Sequence, residues 1–305
     1  VNTDRSDRAT GFDSAQEPPA ASFRHTDHMQ VQLHATVDGI QRHAPMTWQL
    51  SMDREREFYA SFIGAGNGDF EIPLIQSLAA RRGAVDGLLV YCSDISPTGR
   101  AEFLARARTA GVGTAVQQYE IVSFEDPGHR PQRADLLIAA DVWHHIERWR
   151  DIPDIFNSLV KFQHSVRDRG AGLITLASKR CDRYRLAAHL AAIGLRTVPE
   201  PPGEAVAEEC ALLGLPYRTE LVEAHTDLSA CFDGEKFQPD QEGRQLLTFL
   251  LEVDWDELPE FAKNSVERKL LGITTGNRAA TLIRRELYVW IFPDDRTAIA
   301  AESLR

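Results

Sequence analysis

Between Phe62 and Glu71 the chain reads Phe-Ile-Gly-Ala-Gly-Asn-Gly-Asp-Phe-Glu, with a glycine at every second position from 64 to 68. An apolar run, Phe58–Ile63, leads into these glycines, and an amphipathic helical pattern, Phe70–Arg82, leads out. A strand that must turn at once into a helix through bare backbone admits few folds. Glycine permits the tight turn and lets a ligand lie against the main chain. The helix that follows offers first-turn N–H groups with no partner of their own. The spacing narrows the choice further. A dinucleotide fingerprint, Gly-x-Gly-x-x-Gly, needs its third glycine at 69, where Asp69 stands. Here the third glycine is Gly68, and the acid Glu71 follows it.

The rest of the chain alternates strand and helix patterns. Strands are expected at Phe58–Ile63, Gly87–Cys92, Ala115–Val122, Asp135–Ala140, Gly170–Ala177, Tyr217–His225 and Ala279–Phe292. Helices are expected at Phe23–Trp48, Phe70–Arg82, Thr98–Ala110, Ile152–Val166, Arg183–Ile193, Gly203–Leu213 and Gln238–Leu271. Continuous apolar runs such as Asp-Leu-Leu-Ile-Ala-Ala belong to parallel strands covered on both faces. The fold class is therefore α/β: a Rossmann-like, doubly wound sheet, mostly parallel, whose last strand adds antiparallel at the edge. The expected organisation is a loose polar tail (1–21), an N-terminal helical cap (22–50) and a ligand-binding core (51–200). A late strand and helical substrate lobe (201–275) follow, then the final core strand and tail (276–305).

At 305 residues the chain can bury a large core, and its formal charge of −11 argues against nucleic acid or an anionic membrane as partner. The four cysteines are far apart without a Cys-x-x-Cys pair, so neither a zinc site nor a disulfide framework is expected. No signal-peptide layout or membrane-length apolar run is present in the sequence, and a cytoplasmic location is the expectation.

Three positions beyond the glycines build a nucleoside site. Asp94, ending the second strand, can accept hydrogen bonds from both ribose hydroxyls. The third strand ends in Tyr119-Glu120-Ile121-Val122-Ser123, where a polar group can meet an adenine edge. The fourth strand runs into Ala140-Asp141-Val142-Trp143-His144-His145. All lie at carboxyl ends of strands, where open α/β sheets bind ligands. Together with the glycine spacing, these motifs resemble class I S-adenosylmethionine-dependent methyltransferases. The resemblance implies S-adenosylmethionine as cofactor, held by Gly64, Gly66, Gly68, Asp94, Ser123, Ala140 and Asp141, and a small-molecule or peptide acceptor; divergence and composition add the expectation of specialised metabolism.

A closer resemblance is to histamine N-methyltransferase, carried by Thr26-Asp27-His28, by Leu212-Leu213-Gly214-Leu215-Pro216-Tyr217, by Thr226-Asp227-Leu228-Ser229-Ala230-Cys231-Phe232, and by the helix around Leu246–Leu251. It implies Asp27 near the acceptor and an acceptor pocket roofed by the N-terminal helix and the late lobe. The family's amine-binding asparagine falls at Arg284 or Arg285, with Arg285 the better match. An arginine suits a carboxylate rather than an ammonium, so histamine itself is disfavoured. Candidate bases are His145, His144 and His28, with His145 first because its turn faces the expected methyl position. Trp143 and Tyr184 are candidates to box the acceptor, with core packing the competing reading for each. No metal cluster is visible. Two other functions compete: a nicotinamide-dependent oxidoreductase, which lacks its third glycine, and a non-catalytic nucleoside-fold module, which predicts a damaged glycine loop.

Overall fold

The computed structural model describes residues 26–146, 157–195, 201–234, 236–251, 253–274 and 280–293. The expected tail at 1–21 and the start of the helix expected from Ile152 lie outside these residues. Seven strands form one sheet: β1 (Phe58–Ile63), β2 (Leu88–Asp94), β3 (Val116–Ile121), β4 (Ala134–Ala140), β5 (Val166–Ala177), β6 (Tyr217–Asp227) and β9 (Thr281–Ile291). Their order is β3-β2-β1-β4-β5-β9-β6. Strands β1 to β5 are parallel, and β9 runs antiparallel to both its neighbours. The last strand is thus antiparallel as expected, but it is not at the edge. It inserts between β5 and β6, and β6 holds the edge. Burial explains the choice: Leu282, Tyr288, Trp290 and Ile291 are sealed from solvent, whereas β6 alternates and can face water.

The chain lays down β1, β2 and β3 in one direction, then returns to place β4 on the other side of β1. That reversal opens a crevice at the carboxyl ends of β1 and β4, the place where doubly wound sheets hold ligands. Helix α3 (Glu71–Arg82) makes the first crossover, burying Ile72, Leu74, Ile75, Leu78 and Ala79. It stops at Gly83, whose φ of 71° is left-handed. Helix α4 (Pro97–Thr109) starts with Pro97 in its first turn, and the Ser96 side chain accepts from Gly99 N at 3.1 Å. The crossover from β3 to β4, residues 122–133, contains no helix.

The single helical texture expected from Phe23 to Trp48 is two helices, α1 (Thr26–His43) and α2 (Pro45–Met52), because Pro45 cannot continue the first. Helix α5 (Ser158–His164) precedes β5, and α6 (Asp182–Ala192) and α7 (Gly203–Leu212) follow it. The expected Gln238–Leu271 helix divides into α8 (Gln241–Leu251) and α9 (Glu260–Thr274), separated around Pro259. A short hairpin that the sequence did not announce, β7 (Phe232–Asp233) with β8 (Lys236–Phe237), precedes α8.

Three apolar clusters result. One lies on the sheet face under α1 to α4 and includes Phe62, Tyr288 and Trp290. A second, on the opposite face under α5 and α7, includes Trp143, Phe124 and Phe162. The third joins α6, α8 and α9 around Leu228, Trp255 and Leu282 and forms the core of the late lobe. Helix α1 runs along β6, with Arg42 and His43 meeting Glu220, and takes side chains from β9: Gln32 meets Glu286, the Tyr288 hydroxyl donates to Gln32 O at 3.3 Å, and Gly39 lies against Trp290. Among the described residues no helix is long and apolar enough to cross a membrane.

Candidate active site

The three glycines all have left-handed φ, at 67° for Gly64, 48° for Gly66 and 84° for Gly68. They differ in what a side chain would meet. At Gly64 a Cβ would run into Val142 of the β4 loop, and at Gly68 into Ile72 and Phe103. At Gly66 it would meet nothing within 4 Å. Gly64 and Gly68 are therefore small so that the protein can close around them. Gly66 is bare backbone facing open space, a cradle that a ligand can enter.

The cradle is held from below. Asp94 Oδ2 accepts from Gly66 N at 2.9 Å, and Oδ1 accepts from Ser96 N at 2.8 Å. One carboxylate thus ties the β1 loop to the β2 loop. It has roughly four lone-pair positions, and these two amides leave the others for hydroxyl donors. Tyr119 of β3 donates its hydroxyl to Gly66 O at 2.8 Å, and Gly99 packs against the same peptide. Neither residue is singled out by the sequence as part of the site. The position of Tyr119 beside Cys92 and Asp94 becomes legible only once β2 and β3 are in register. Burial pushes the Tyr119 phenol well above its ordinary range, which keeps it a donor.

Glu71 opens α3 beside this loop. It is buried, and its carboxyl is pushed up to about 8, first by burial and then by the charges of Asp69 and Asp94. Hydrogen bonds from the backbone of Glu71 and Phe70 pull the other way without overcoming burial.

The remaining positions divide clearly. Ser123 follows β3, and its hydroxyl accepts from Glu125 N at 3.2 Å, shaping the turn next to Val122, whose N bonds Asp94 O. Ala140 ends β4. Asp141 is the one non-glycine residue with positive φ, 49°, among the described residues, and Thr175 receives its N–H through both its carbonyl and its hydroxyl. Asp141 thus caps the crevice in a conformation that asparagine and aspartate tolerate best. Arg183 of α6 reaches Asp141 Oδ2 at 3.8 Å and lies over Phe249 of α8, so it links the crevice to the lobe. His144 and His145 occupy a short turn after Val142, their ring centroids 3.9 Å apart. Asp27 and His28 lie in the first turn of α1, and their side chains fall outside the described residues.

Two expectations are corrected, those for Trp143 and Arg285. Trp143 does not box an acceptor: it is fully buried between Phe124 and Phe162 on the face under α5. Tyr184 stands near Glu204, which itself holds Ser178 and Lys179, and its neighbour Arg183 is the α6 residue that meets Asp141. Arg285 points away from α1, its Nε donating to Glu223 at 2.8 Å and Nη1 to Arg180 O at 3.3 Å. The residue on the α1 side is Arg284, buried beside Glu286, whose carboxylate also accepts from Gln32 Nε2 at 2.6 Å. Parity carried that signal: Arg284 and Glu286 share a face with Leu282, Tyr288 and Trp290, and Arg285 does not. Among the described residues no group of three or more His, Cys, Asp or Glu side chains could hold a metal ion.

No family model matches the chain, and no curated protein matches it. Among solved structures it is similar to a protein of Galdieria sulphuraria assigned as a sarcosine dimethylglycine methyltransferase (15% identity, 86% of each chain covered, TM-score 0.47). It is also similar to geranyl diphosphate methyltransferase in complex with S-adenosylmethionine (10% identity, 82% of this chain and 85% of that chain, TM-score 0.42). A third is magnesium protoporphyrin IX methyltransferase of Synechocystis PCC 6803 with bound S-adenosylmethionine (19% identity, 70% and 85% covered, TM-score 0.40). At these identities and scores the likenesses assign no activity, and the functional reading rests on the chain's own residues.

Proposed function

We propose that this chain is an S-adenosylmethionine-dependent methyltransferase acting on a small molecule or peptide. The observation that carries the reading is the Gly66 cradle: a left-handed glycine facing open space, its amide held by the Asp94 carboxylate at the crevice between β1 and β4. Gly66 and the first turn of α3 receive the amino-acid portion of the cofactor, and Asp94 accepts from the ribose hydroxyls. Ser123 borders the adenine edge, and Ala140 with Asp141 closes the crevice opposite. S-adenosylmethionine, when bound, supplies a methyl group made electrophilic by its sulfonium. The protein's task is to hold the acceptor in line with that methyl at near-attack distance, which can lower the barrier by about 7–11 kcal/mol at best. Where the acceptor arrives protonated, His145 is the group that takes the proton onto its imidazole, with the His144 ring tilted against it.

The finer likeness to histamine N-methyltransferase belongs to the same proposal. Its support is the Thr226–Phe232 motif, which forms the turn at the root of the lobe. The test is calorimetric titration with S-adenosylhomocysteine. Binding is expected, and Asp94→Ala should weaken it about 10- to 100-fold through lost charge-assisted hydrogen bonds of roughly 1.5–3 kcal/mol. No binding at millimolar ligand, or tighter binding of a nicotinamide dinucleotide, sinks the reading.

A further inference from the structure

Arg284 is 6% exposed and sits where α1, β9 and the late lobe converge. Its Nη2 donates to Glu286 Oε1 at 3.2 Å, its Nε is buried without a partner, and its Nη1 makes no hydrogen bond among the described residues. A guanidinium has five N–H donors and cannot shed its proton. Keeping it more than nine-tenths buried with one bond made is a poor arrangement for stability, since a well-packed apolar residue would usually serve as well or better. Glu286, 4% exposed, also accepts from Gln32 of α1, so the acid that holds Arg284 is itself tied to a second element. The other charged groups that act on Glu286 are Asp141 and Arg183, both at the crevice. Through Glu286, Arg284 therefore joins the charged groups at the end of β4.

Resting on the methyltransferase reading, we propose that Arg284 is the group that selects the methyl acceptor and that the acceptor carries a carboxylate. A planar monoanion matches the fork of donors that Arg284 leaves over. A phosphate would bring two charges against Glu286 and Asp141, so the carboxylate is the better match. Glu286 is a positioning residue that orients the fork through its bond to Nη2. Arg285, tied to Glu223 on the opposite face, takes no part.

The experiment uses the full chain loaded with S-adenosylhomocysteine, titrated by calorimetry with phenylacetate and, as the uncharged match, phenylacetamide. Phenylacetate should bind at least tenfold more tightly than the amide. Arg284→Leu should abolish that preference, Arg284→Lys should reduce it because the ammonium lacks a planar fork, and Arg285→Ala should leave it intact. S-adenosylhomocysteine affinity, unchanged in all three variants, shows that each is folded. Equal binding of acid and amide to the parent protein, or a preference that survives Arg284→Leu, overturns the inference while leaving the methyltransferase reading standing. Failure of S-adenosylhomocysteine to bind the parent protein overturns both.

Discussion

Gly66 and Gly68 look alike in sequence and do opposite work. Both have left-handed φ, so alanine at either is strained by about 1–2 kcal/mol. At Gly68 the new methyl also collides with Ile72 and Phe103, and that clash falls on the folded protein whether or not ligand is present. At Gly66 the methyl enters open space, the space assigned to the cofactor. Gly66→Ala should therefore lower the melting temperature only slightly and weaken S-adenosylhomocysteine binding tenfold or more. Gly68→Ala should show the reverse weighting, with the larger loss in stability. Thermal melts with and without ligand check the pair. A Gly66→Ala variant that binds as well as the parent protein would remove Gly66 from the site.

At the scale of the element, α3 begins with a buried acid, and its consequence is a pH effect. The Glu71 carboxyl sits at about 8 in the folded protein against an ordinary value of 4.5. The folded state thus binds this proton more tightly than the unfolded one. The stability it contributes is fully present below about pH 4.5 and falls as pH rises towards 8. Glu71→Gln keeps the shape and removes the titration, so its melting temperature should decline less than the parent's between pH 5 and 9; parallel profiles would show that Glu71 is not the source. Elements also mark what the sequence could and could not disclose. The strand–turn–helix at 58–82 was legible because apolar period, glycines and helix pattern agree within one local stretch. The place of β9 between β5 and β6 was not, because strand order is decided by which strand has two apolar faces to hide. Pro45 and Pro259 mark breaks in texture that amphipathicity alone reads as continuous. The strand ends proposed for the cofactor lie in four short motifs that stand out in the sequence, whereas Tyr119 and Gly99, which pack on the Gly66 peptide, do not. The proposed acceptor side depends on the parity of one strand and on the side of it that α1 covers. A shift of one position, from Arg285 to Arg284, exchanges a partly exposed ion pair for a buried guanidinium.

The whole molecule separates the two proposed tasks, cofactor binding and acceptor selection. The glycine cradle and Asp94 belong to the sheet and its first two crossovers, whose interior is continuous beneath α1 to α4. The lobe of α6, α8 and α9 has its own apolar cluster, and Arg183 and Arg284 lie where it meets the sheet. A ligand that touches only the first region should stabilise only the first region directly, because local opening is a property of each cooperative unit. At a free concentration 100-fold above its dissociation constant, S-adenosylhomocysteine should stabilise the fold by about 2.7 kcal/mol. In hydrogen exchange, protection should concentrate in residues 64–72, 94–99, 119–123 and 140–146, with α8 and α9 exchanging as before. Adding a bound carboxylate should then slow exchange in α8, through Arg183 and Phe249, and along β9 around Arg284. Protection of α8 and α9 by S-adenosylhomocysteine alone would mean that the lobe closes on the cofactor. The acceptor would then enter a site already shaped, rather than help to shape it.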